Sequence, residues 1–182
     1  ELNFDYIRFP SDGNMKDIYY PFSEEKVLAD PDFGKAKVIK SFFAYLDSQL
    51  DGITTSADLF GMVTTNADDL NIGQTLENAL PYFDFISPMV YPSHYPTGFN
   101  GWNNVNSVPY EIVKFSIDSA IEKLNIFKTE VASSTPKAPY LKKISSDQLR
   151  PWLQDNDYPV HYTPEMVRAQ INATYDAGLD SW

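Results

Sequence analysis

Cysteine is absent from the 182 residues, which excludes a disulfide framework and a thiolate metal site and leaves the redox compartment open. Basic residues are scarce: 14 Lys and Arg stand against 25 Asp and Glu, for a formal net charge of −11. Such a surface repels phosphate backbones and anionic membranes, so nucleic acid is a poor expectation for the partner. Apolar runs are only a few residues long, too short for a spanning helix or a secretory leader. Histidine occurs twice, at His94 and His161, with no carboxylate spacing that would make a zinc site, and no cofactor is expected. The segment "SDGNMKD" offers Asp12, Asn14 and Asp17 as oxygen ligands but lacks the alternating acids and bidentate Glu of a calcium loop, so a solvated turn is the expectation and metal is not. No Gly-rich phosphate turn follows any strand, which argues against an open dinucleotide-binding sheet.

Aromatic residues are plentiful. They make up 15% of the chain and gather in "YYPF", "YPSHYPTGF" and "PYL". Rings inside apolar runs are expected in the core, while those beside Pro, Ser and Gly are candidates for a surface that takes flat ligands such as sugar rings.

Organisation follows from periodicity. Strand-like runs occupy residues 2–9, 53–63, 83–91 and 149–154, and helical segments alternate with them. One helix is predicted over 33–50, with Ala36, Ile39, Phe43, Leu46 and Leu50 on a single face. A short one is predicted over 74–80, where Gln74 serves in capping and packing or in substrate contact. A third starts at Pro109 and carries the stripe Val113, Ile117, Ala120, Leu124 and Phe127. The fourth has Thr163 as N-cap, Pro164 at the first helical position and Gly178 at its end. Long helices between apolar strands imply βαβ units, a parallel sheet and a single domain over 1–182. "NAT" at Asn172 matches a glycosylation acceptor but falls inside the fourth helix.

Strand parity sharpens the fold. Asn3, Asp5 and Ile7 share one side of the first run; Thr54, Ser56 and Asp58 share one side of the second. Ser87, Met89 and Tyr91 do so in the third, and Arg150, Trp152 and Gln154 in the fourth. Each strand thus has an apolar side and a side that turns polar toward its C-terminal end. A (β/α) barrel has this pattern, with helices packed outside and a site at the C-terminal rim.

The stretches "FDYIRFPSDG", "SADLFG", "IGQTLENALPYFDFISPMVYPSHYPTGF", "PYEIV", "LRPWLQD" and "RAQINATYDAGLDSW", in that order, resemble the bacterial putative glycoside hydrolase family, a set of TIM barrels. The resemblance runs nearly end to end. It implies an α/β fold of the (β/α)8 type in which "FDYIRFP" is the fourth strand and "GLDSW" leads into the eighth, so that the chain is roughly the C-terminal half, about strands 4 to 8. On this expectation the first strand has a bare edge, and the segment pairs with the missing half of the barrel or with a second copy rather than persisting as an isolated monomer. The resemblance also implies a carbohydrate substrate, a polysaccharide or cell-envelope glycan, and an extracellular or envelope location.

Within that frame the candidate catalytic residues are Asp5, Asp58 and Asp155. Two carboxylates on neighbouring strands can divide acid and nucleophile work. A strand spacing of about 4.8 Å suits the short separation of roughly 5–5.5 Å used by retaining glycosidases. The competing structural reading pairs Asp5 with Arg8 and leaves Asp58 capping a turn. Asp155 opposes Trp152 and Gln154 in parity and ranks third. Candidate substrate-binding residues are Tyr6, Arg8, Tyr91, His94, Tyr95, Trp152 and Gln154, with Trp152 either a sugar platform or a core ring. A barrel that binds glycans without hydrolysing them is the alternative function.

Overall fold

The computed structural model describes residues 1–133 and 144–182. The "PYL" cluster, Pro139 to Leu141, lies outside the described residues. Three strands, β1 (Leu2–Phe4), β2 (Thr55–Phe60) and β3 (Phe85–Met89), form one parallel sheet in the order β1, β2, β3. The register sets Asn3 opposite Ser56, Asp58 opposite Ser87 and Phe60 opposite Met89. Residues 149–152 extend the order past β3 through two parallel bridges, Ile86 to Leu149 and Met89 to Trp152.

The strands are shorter than their hydrophobic runs. β1 stops at Phe4 and not at residue 9, because the Asp5 carboxylate accepts the Tyr6 backbone N–H at 2.6 Å and Tyr6 takes φ of 59°, which no ladder accommodates. β2 ends at Phe60 and the chain tightens into a 3-10 turn at Gly61–Thr64. There a methyl group on Gly61 would run into the Met89 carbonyl and the Tyr95 hydroxyl, so no larger residue fits so close to β3. The predicted strand over 149–154 is reduced to its two bridges. Arg150 and Trp152 donate backbone N–H groups to Ile86 and Pro88 at 2.9 and 3.0 Å, and Pro151 between them has no N–H to give.

Among the described residues five α-helices accompany the sheet: α1 (Glu24–Ala29), α2 (Gly34–Gln49), α3 (Leu76–Ala79), α4 (Pro109–Ser133) and α5 (Pro164–Asp176). Four of them stand where periodicity predicts. Thr163 caps α5 by accepting the Met166 N–H, and Gly178 just beyond it has φ of 90°. The exception, α1, buries no side chain and so has no apolar stripe to be read.

The helices cover one face of the sheet. Ala57, Leu59, Ile86, Val90 and Leu149 are buried there against Phe43 of α2, Val113, Ile117 and Leu124 of α4 and Ala173 of α5. A second, smaller core joins Tyr95, Val105 and Ile112 to Met62, Phe99 and Trp102. Its rings pack on one another, Tyr95 to Phe99 at 4.6 Å between centroids, so the aromatics of "YPTGF" and the following Trp102 fill space beneath the loop instead of facing outward.

The other face carries Asn3, Ser56, Asp58, Ser87, Arg150 and Trp152 and is concave. A cavity of about 350 Å³ on it is lined by residues from β1, β2, β3 and the 149–152 segment together with Trp182. Side chains reach across it: Arg150 pairs with Glu1 at 3.3 Å and rests over the Phe85 ring at 3.1 Å.

Candidate active site

Beyond the carboxyl ends of the strands lies a cleft of about 600 Å³. Asp5, Tyr6 and Arg8 line it after β1, Asp58 and Phe60 from β2, and His94 and Tyr95 after β3. Parallel strands make this convergence automatic, since all of them hand the chain to its loops at the same end.

Asp58 is the most constrained of these groups. It is 6% exposed, accepts the Trp152 indole N–H on Oδ1 at 2.8 Å and accepts the Asn3 amide on Oδ2 at 2.9 Å. Asn3 is itself fixed, because its Oδ1 accepts the Ser56 hydroxyl at 2.6 Å. Asp58 therefore does not cap a turn. Burying a carboxylate is expensive unless it is hydrogen-bonded, and both of its oxygens are.

Asp5 differs. It is exposed, one residue past the end of β1, and its carboxylate holds the strained Tyr6 backbone. No ion pair joins it to Arg8 among the described residues. The Arg8 guanidinium lies 4.1 Å from the Tyr6 ring centroid and 4.6 Å from that of Phe60, and donates to the Phe9 carbonyl and the Ser11 hydroxyl. Tyr6 is 64% exposed at the mouth of the cleft. Gln74 ties the strand ends together: its carbonyl accepts the Phe60 N–H at 2.9 Å and its amide donates to the Ile7 carbonyl.

Tyr91 does not line the cleft but lies within electrostatic reach of the three acids. Burial pushes its phenol above the ordinary value, and the charges of Asp58, Asp5 and Asp155 push it further in the same direction. Asp155 thus acts on Tyr91 although it is not among the residues that line the cleft. Tyr91 packs edge-on against His94 at 5.2 Å, and desolvation lowers the His94 pKa below the usual histidine range.

The remaining predicted residues sit differently. Tyr95 is only 4% exposed; its hydroxyl is bonded to that of Ser116 at 2.8 Å, and burial pushes its pKa up to about 12. It forms the wall of the cleft. Gln154 is 1% exposed, accepts the Ser93 N–H and donates to the Asn156 and Tyr158 carbonyls. It braces the loop that presents His94. Trp152 is 48% exposed and lines the concave face, so it is not a core ring. Asn3 and Ser56 are the site members that sequence reading left without a role, although parity places each on the side of its carboxylate. Asn14 donates to Asp17 within the "SDGNMKD" turn, and no cluster suited to a metal occurs among the described residues.

A parallel α/β sheet covered by helices on one face, with carboxylates at and just past the carboxyl ends of its strands, defines the general class. Residues 1–182 all match the family described as "Putative glycosyl hydrolase domain", and the chain belongs to that family. A solved structure, the glycoside hydrolase domain of PgaB (BpsB) from Bordetella bronchiseptica, resembles it with a TM-score of 0.50 at 16% identity. The alignment covers 85% of this chain and 40% of that one, so the present chain spans about two-fifths of the neighbour, and the likeness is one of fold. No curated protein sequence matches. Among the described residues no helix is long and apolar enough to cross a membrane.

Proposed function

We propose that this chain is the carbohydrate-cleaving half of a (β/α)8 barrel, about strands 4 to 8, and hydrolyses a polysaccharide or cell-envelope glycan at or outside the cell envelope. The observation that carries this reading is that Asp5 and Asp58 line one cleft and both, with Asp155, bear on Tyr91. The register ends with Phe4 opposite Ala57, so Asp5 and Asp58 are the next residues along two neighbouring chain segments. Neighbouring strands lie about 4.8 Å apart, a spacing that favours retention of anomeric configuration over the wider inverting arrangement. In such a reaction one carboxyl protonates the glycosidic oxygen while the other attacks the anomeric carbon, and the first then deprotonates the incoming water.

Tyr6, Arg8 and His94, which line the cleft, are the proposed sugar contacts, with Tyr91 packed behind His94. The concave polar face and the edge of β1, unpaired among the described residues, support the barrel, because strands that continue the sheet would enclose the first and pair the second. Those strands come from the rest of the barrel or from a second copy.

The test is turnover of a glycan panel by the full-length protein, with Asp5→Asn beside it. Hydrolysis that the substitution removes is the expected result. Binding of glycans without hydrolysis by the unaltered protein would replace the enzyme with a glycan-binding barrel.

A further inference from the structure

Trp152 reaches Asp58 from two positions away in the sheet. The indole starts on the 149–152 segment beside Met89, passes β3, and ends with Nε1 2.8 Å from the Asp58 carboxylate on β2. Two strand spacings amount to about 9.6 Å. What lies between is Ser87, the register partner of Asp58, which lines the same cavity as Trp152. A small side chain at that point leaves the indole a path over β3.

Opposite this arm is a second one, in which the Ser56 hydroxyl orients Asn3 and Asn3 donates to the other oxygen of Asp58. Two donors from opposite sides fix both the position and the rotation of one carboxylate. A fixed carboxylate is what attack on an anomeric carbon requires, since a misplacement of about 1 Å can cost roughly a hundredfold in rate. Stacking a sugar would put a different demand on Trp152, because it needs the ring face and not the N–H.

We infer that Trp152 is a positioning residue for Asp58, acting through its indole N–H over the gap left by Ser87, and not a sugar platform. The inference rests on the catalytic reading of Asp58.

Trp152→Phe in the full-length protein keeps an aromatic face and removes the donor. Its kcat is expected to fall about 10- to 100-fold with KM within about twofold of wild type. Ser87→Leu, which closes the gap and leaves the indole intact, should lower kcat in the same way. A Phe variant with unchanged kcat, or one whose loss lies in KM, overturns the inference. A second readout is independent of turnover: the Trp152 indole 1H–15N resonance, assigned by its loss in Trp152→Phe, should shift in Asp58→Asn while those of Trp102 and Trp182 stay in place. An unmoved Trp152 resonance overturns the inference. If the unaltered protein cleaves no glycan, the catalytic reading fails, and the resonance alone decides whether Trp152 holds Asp58.

Discussion

Asp58 and Leu59 are neighbours in the chain and belong to opposite faces of β2. Leu59 is fully buried beneath the helices, with apolar partners on every side. Asp58 is nearly as buried, yet its partners are an indole N–H and an amide. Burial on the helix side comes from bulk apolar area, which many residue combinations supply. Burial on the concave side comes from a small set of directed hydrogen bonds, which few combinations satisfy. The first face holds the fold together, and the second spends some of that stability on placing polar groups.

The contrast can be broken most forcefully at Asp58. Asp58→Asn keeps the size but sets an amide donor against one of the two buried donors, so turnover by the full-length protein should fall about a thousandfold, within the range for lost carboxylate chemistry, with a stability loss of only about 1 kcal/mol in urea. Next door, Leu59→Ala should do the reverse. It should cost about 3 kcal/mol in chemical denaturation and leave activity per folded molecule nearly unchanged. If both substitutions act on stability alone, the division of labour between the faces is wrong.

A smaller effect belongs to Tyr95, at the boundary between cleft and core. Burial raises its pKa to about 12, whereas the exposed phenol of the unfolded chain ionises near its ordinary value of 10. Below pH 10 both states are neutral and the buried ring keeps its full contribution. As pH rises from 10 toward 12 the unfolded state loses its proton first, and stability should decline by about 2 kcal/mol across that window. Denaturant titrations at successive pH values should show the decline, and Tyr95→Phe should reduce it by about that amount, leaving the part due to other raised phenols such as Tyr91. The smallest expected change is at the start of α5, where Thr163→Ala removes the acceptor for the Met166 N–H and should cost about 1 kcal/mol, measured as a shift in denaturant midpoint.

The residues that the sequence made legible were those governed by period and by local capping. Thr163, Pro164 and Gly178 bound α5 through chemistry that spans only a few positions, and the stripe from Val113 to Leu124 faces the core because one side of α4 must. Parity separated Asp58 from Leu59 for the same reason. What remained illegible depended on partners far away in the chain. That Trp152 meets Asp58 across 94 positions, or that Gln154 supports Ser93 across 61, follows from the closing of the sheet and not from any local pattern. The end of β1 was misread because hydrophobic character continues through Ile7 and Phe9, whereas the ladder is broken by one side-chain-to-backbone bond at Asp5. Short α1, with no buried side chain, offered no stripe to find.

Glu1 and Arg150 form an ion pair with both side chains about one-third exposed or more, so its energy is small. Its geometry matters more. The path from one residue to the other along the sheet is an arc through β2 and β3, and the pair is the chord that closes it. A chain of strands joined only to neighbours can slide by two residues at one junction and keep every side chain on its proper face. In the closed circuit such a slide carries Glu1 about 7 Å away from the guanidinium and breaks the pair. The pair is thus a register marker: it is made in one alignment only, and although its loss costs little, it tells that alignment from the one that hydrophobic patterning cannot detect.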